Sequence, residues 1–147
     1  MKFALAISAL FVAAASAKST FKITPMSAKI LKESNTGRLD FTVVDISDNA
    51  ATTCSTAWNV GDKSISTRWN NCKDTNFSFT LPDGIDNIEN FGIVLQRTQN
   101  DKVSTGSITV DANVGTTPWV CKSPGATPGT SEECDLNGDL IVPANAN

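Results

Sequence analysis

Apolar and polar residues alternate along most of this chain, and the alternation predicts strands. Phe21 and Ile23 flank Lys22, and Leu39, Phe41 and Val43 enclose Asp40 and Thr42. Cys54, Thr56, Trp58 and Val60 share one face of a third run. Phe77, Phe79 and Leu81 alternate with Ser78 and Thr80, and Phe91, Ile93 and Leu95 with Gly92, Val94 and Gln96; Ile108–Ala112 continues the pattern. A period of two, rich in β-branched and aromatic residues, marks half-buried antiparallel strands. Turn formers separate the runs at Asn35-Thr36-Gly37, Pro82-Asp83-Gly84 and Gln99–Lys102. Asn137-Gly138, between Leu136 and Leu140, predicts a two-residue hairpin, because both positions accept positive φ. No stretch has the period of a long amphipathic helix; one short helical turn is expected around Ile85–Asn90. The expected fold is all-β, a compact antiparallel β-barrel or β-sandwich.

The ends differ from this pattern. Met1–Ala17 carries Lys2, then an uncharged apolar run, then Ala15-Ser16-Ala17. That is the layout of a cleaved secretory signal, and the run is shorter than the ~20 residues that span a bilayer. Residues 18–147 are then expected to be one domain, secreted and extracellular, with no membrane partner. Within it, 118–147 stands apart as a Pro/Gly-rich segment holding Pro118, Pro124, Pro128 and Pro143. Ser123–Ser131 is expected to be an exposed loop, and Ala144–Asn147 to fray.

Four cysteines, Cys54, Cys72, Cys121 and Cys134, follow the signal. Four allow three pairings, and spacing alone cannot choose. The gaps suggest two local disulfides, Cys54–Cys72 and Cys121–Cys134, each worth about 3 kcal/mol through restriction of the unfolded chain. With no CxxC and no His, zinc is not expected.

The composition narrows the chemistry. Absence of His excludes a Ser-His-Asp triad, a Cys-His pair and His-ligated metal. A net charge of -3 argues against nucleic acid. Asp135, Asn137 and Asp139 have the alternation of a calcium loop. Leu140 stands where that loop needs Gly and Ala146 where it needs Glu, so the reading is a turn, and no metal or cofactor is assigned. Asn76-Phe77-Ser78 makes Asn76 a glycosylation candidate. Asp83, Asp86 and Glu89 contain the acids a glycosidase needs, yet read as a solvated turn cluster, as do Asp45 and Asp48 at a strand end. No catalytic residue is assigned. Of the tryptophans, Trp58 is in phase with Cys54 and reads as core. Trp69, three residues before Cys72, reads as packing on a bridge. Trp119, beside the Pro-rich loop, is the candidate binding-surface residue.

Cys54…Trp58, then Trp69-Asn70-Asn71-Cys72, Phe77-Ser78-Phe79 and Phe91-Gly92-Ile93-Val94-Leu95 come in an order that resembles the fungal secreted family named after the major allergen of Alternaria. The resemblance covers roughly residues 21–142. It implies the β-barrel or β-sandwich, the two local disulfides, and a small effector or elicitor without established catalysis. The allergen-type dimer uses an additional Cys near the mature N-terminus that is absent here, so a monomer or non-covalent dimer is expected.

The functional expectation is a secreted effector or elicitor that binds a host (plant) protein or an extracellular glycan. The alternative is a carbohydrate- or cell-wall-binding module with weak glycosidase activity. A third reading is an inhibitor presenting Ser123–Ser131, since a constrained loop loses little entropy on binding.

Overall fold

The structure, a computed structural model, describes residues 19–114 and 117–146; the expected signal Met1–Ala17 lies outside them. Ten strands follow in chain order: β1 Thr20–Leu31, β2 Thr36–Asp45, β3 Ala50–Asn59, β4 Asn70–Asn71, β5 Phe77–Thr80, β6 Asn90–Gln99, β7 Lys102–Asp111, β8 Trp119–Lys122, β9 Thr130–Leu136 and β10 Leu140–Ala146. All pair antiparallel, in the order β3-β2-β1-β10-β7-β6-β5-β4, with β9 also beside β1 and β8 beside β9. This is a nearly closed β-barrel with two disulfides, Cys54–Cys72 and Cys121–Cys134.

Each strand turns its apolar phase inward. In β2, Leu39, Phe41 and Val43 are buried, and in β6 Phe91, Ile93 and Leu95. Phe21 meets Phe77 edge-on at 6.4 Å between centroids, and Phe41 meets Phe79 at 4.9 Å. These contacts join β1 and β2 to β5 across the interior. Aromatic pairs in this geometry contribute about 1 kcal/mol beyond the area they bury.

The sheet has two ends, β3 and β4, and the first disulfide ties them. Cys54 lies in β3, and Cys72 follows β4 directly. Beside it the Lys73 N–H donates to the Thr53 carbonyl and the Asp74 N–H to the Thr52 hydroxyl, each at 2.8 Å. Local in sequence, this staple closes a seam in space. The second disulfide joins directly opposed residues of the β8–β9 hairpin.

Three expectations need correction. First, Asn137-Gly138 is not a hairpin turn. Both β9 and β10 pair with β1, on successive stretches: Ser27–Leu31 with β9 and Thr20–Ile23 with β10. Asn137–Asp139 is the irregular step between two stretches of one path, opposite the cis Thr24–Pro25 bond, with Gly138 at φ +131. A two-residue hairpin does form at the expected turn Gln99–Lys102, where Asn100 and Asp101 both have positive φ and Gln99 pairs with Lys102. Second, Ile85–Asn90 is not helical. Ile85 and Ile88 are anchored in the core from an irregular segment, and the short 3-10 helix is Lys63–Thr67, capped by the Asp62 carboxylate on the Ser64 N–H. Third, Ala144–Ala146 do not fray, because they pair with Gly106–Ser104 of β7.

That last pairing is short for a reason of sequence. Continued in register, the next pair would set Pro143 opposite Ser107. Proline has no N–H to donate, and the ladder stops there. The barrel wall is therefore open between Ser107–Asp111 of β7 and Leu140–Pro143 of β10.

Candidate binding surface

The outer face of β9, β1, β2 and β3 carries a row of polar side chains set by register. Asp135 is opposite Ser27, Ser27 opposite Asp40, and Asp40 opposite Ser55. One step along, Thr42 faces Thr53. These residues line a trough of about 430 Å³, with Pro25 and Leu136 as apolar lining. Thr42 and Thr53 also border a second hollow of about 490 Å³ that runs to Lys73 and Asp74 at the barrel seam. Strand alternation builds this surface: the same residues that fill the core impose hydroxyls and carboxylates outside. Hydroxyls in a row give paired donors and acceptors, the chemistry that matches a polyhydroxylated ligand. Asp40 is held by Arg38 at 2.8 Å.

The acids at the barrel end have a structural task. Arg97 continues the inward phase of β6, and Asp45 the inward phase of β2. Arg97 donates to Asp45 at 2.7 Å and to both oxygens of Asp48 at 2.8 Å. Its guanidinium lies 4.9 Å from the centre of the Phe77 ring. Asp45 also accepts from the Ser47 backbone and hydroxyl. Asp48 is pulled down to about 2, chiefly by the Arg97 hydrogen bond and then by the Ala50 N–H. Asp48 is therefore held as the carboxylate. Sequence reading left Arg97 unremarked, though a charge in phase with Phe91, Ile93 and Leu95 was the signal for it.

The Asp83, Asp86 and Glu89 group does not converge as one site. Asp86 pairs with Lys63 on the surface, and Glu89 lies near Glu132 of β9. Glu132 has its carboxyl pushed up, mainly by burial and then by Glu89. Asp135–Asp139 does not gather into a metal site, and among the described residues no cluster of three or more Cys, Asp or Glu could hold a metal.

Trp119 is corrected outright: it is only 1% exposed. It packs edge-on against Phe91 at 6.0 Å, and its indole N–H donates to the Ile88 carbonyl at 2.9 Å. The Ile85–Asn90 segment thus satisfies this buried indole, whereas the buried Trp58 N–H finds no partner among the described residues. Trp69 is the exposed one, at 47%. Trp58 is buried, in phase with Cys54. Asn76 is exposed in the turn before β5, so its side chain is open to modification.

The Ser123–Ser131 loop is largely exposed but folds back on its own sheet. Glu133 accepts from the Thr127 N–H and hydroxyl and pairs with Lys29 at 3.1 Å. These contacts hold the Glu133 carboxyl below its ordinary value, the Thr127 N–H first.

Among the described residues no helix is long and apolar enough to cross a membrane. Comparison of the chain with family models, curated proteins and solved structures gives no match.

Proposed function

We propose that this protein is a secreted fungal effector or elicitor that works by binding a host (plant) or extracellular partner. One observation carries the reading. The acids and the arginine that chemistry would need at the barrel end are spent on holding the barrel, while the side chains left exposed form lined surfaces. Two disulfides suit an oxidising, extracellular setting. The test is infiltration of leaves with the native and the disulfide-reduced protein, together with capture from apoplastic fluid. A response to the native form, weakened by reduction, is expected. No response across several hosts would sink the proposal.

A second reading has its own observation. The row Asp135, Ser27, Asp40 and Ser55 and the exposed Trp69 suit an extracellular glycan. Retention on chitin, glucan or cellulose, lost in Ser27→Arg, would favour it. Glu89 and Glu132 are the acids to replace if weak glycosidase activity accompanies retention.

A further inference from the structure

β7 is paired along its whole length to β6, but to β10 only at Ser104–Gly106. Beyond Pro143, β10 leaves β7 and stays with β1. In an antiparallel ladder, alternate residues send their N–H and C=O to opposite sides. Gln99 and Lys102 flank a two-residue turn and so bond each other. Counting in twos, Ile108 and Val110 bond to β6, and Thr109 sends its N–H and C=O away from it, into the opening. Among the described residues no strand pairs with Thr109 on that side.

The opening is a groove of about 440 Å³. Its lining includes Ile108, Val114 and Ile141, with Asp111 and Asp139, and no Lys or Arg. Val114 and Ile141 are half-exposed, at 49% and 50%. Ile108 is in phase with the buried Gly106 and Val110 yet remains only partly buried, because the wall is missing beside it. Unpaired backbone, apolar surface and negative charge thus occur together.

We propose that this bare edge of β7 docks an extended segment of a partner protein, which adds as a strand beside Thr109. Main-chain bonds to Thr109 supply the register. Apolar side chains of the segment cover Ile108, Val114 and Ile141, and basic ones alternate with them to meet Asp111 and Asp139. The assignment rests on the binding reading above for its biological role, while the edge itself follows from the fold.

The probe is a blocked peptide of alternating valine and lysine. Two controls accompany it: a fully N-methylated form and one with glutamate for lysine. Amide exchange at Thr109 is expected to slow on addition of the lysine peptide, weakly with the glutamate form and not at all with the methylated one. Thr109→Pro removes the outward N–H without touching a ladder bond and is expected to weaken peptide binding about tenfold. Asp139→Lys, at an exposed site, should reverse the preference between the lysine and glutamate peptides. Unchanged exchange at Thr109, or equal protection by all three peptides, would overturn the proposal. So would concentration-dependent dimerisation that protects Thr109 without peptide, since the occupant would then be a second copy. The leaf assay separates the two readings. A Thr109→Pro protein that binds no peptide yet still elicits leaves the effector reading standing and removes the edge from it. A native protein that binds peptide and elicits nothing does the reverse.

Discussion

Trp58 and Gly37 lie directly opposite each other on β3 and β2, and the indole occupies the space where a Gly37 side chain would stand. A Cβ built at Gly37 would overlap the Trp58 ring. Gly37 is therefore required by packing, as its place in a strand suggests. Gly37→Ala should displace the indole and cost about 3 kcal/mol. Tryptophan fluorescence and a urea midpoint would show both effects together. A variant with native fluorescence and native stability would mean the ring moves aside freely.

Breaking the charged plug at the barrel end should be costly. Asp45 is buried on Arg97, and its removal leaves the buried guanidinium with Asp48 alone. Asp45→Ala loses a buried charge-assisted hydrogen bond and is expected to cost about 2–3 kcal/mol. Asp48→Ala, at the solvent side of the same arginine, should cost less. Equal losses from the two variants would show that burial does not set the scale here.

Acid should weaken the fold between about pH 4 and about pH 2. The Asp48 carboxyl is about 2 when folded, against about 3.9 in an unfolded chain. Its contribution is complete above the unfolded value and is lost as pH falls through the folded one. Glu133 has the same sign. Glu132 has the opposite sign, but a carboxyl raised on folding takes up its proton before this range is reached, so its relief comes at higher pH. Urea midpoints across this range should fall for the native chain and fall less for Asp48→Asn.

The two disulfides should differ in what they protect. Replacing Cys54 and Cys72 by Ser opens the seam, costs about 3 kcal/mol, and should speed amide exchange at Lys73 and Asp74. Replacing Cys121 and Cys134 should loosen the β8–β9 hairpin and leave the seam protected. Exchange rates read residue by residue would distinguish the cases.

Trp69→Ala should leave the unfolding free energy from urea titration within about 0.5 kcal/mol of the native chain, because the ring is half in water. If Trp69 belongs to a glycan surface, the same variant loses retention on the polysaccharide it recognises. Loss of stability instead would give the ring a structural task.

The strands were legible because burial imposes a period of two, and the six runs read from Phe21, Leu39, Cys54, Phe77, Phe91 and Ile108 each became a strand. What stayed hidden was long-range. Asn137-Gly138 has the chemistry of a hairpin, but its flanking strands both found β1, and tertiary pairing overrode the local signal. Trp119 looked exposed beside prolines. Only the fold brings Ile88 and Phe91 to it. Arg97 and Asp45 were readable as charges in an apolar phase, but which charge met which required the barrel to close.

The sheet order also says something about the sequence of events during synthesis. β1–β3 and β4–β7 are two meanders built from neighbours in the chain. Between them stands β10, the latest of the ten to be made. As the nascent chain emerges, both halves can form early and meet at the Lys73–Thr53 seam, but the ladder that joins β1 to β7 waits for β10. Until then Phe21, Phe41, Phe77 and Phe79 have no complete interior, and oxidation of Cys54 with Cys72 would fix the two halves at that seam.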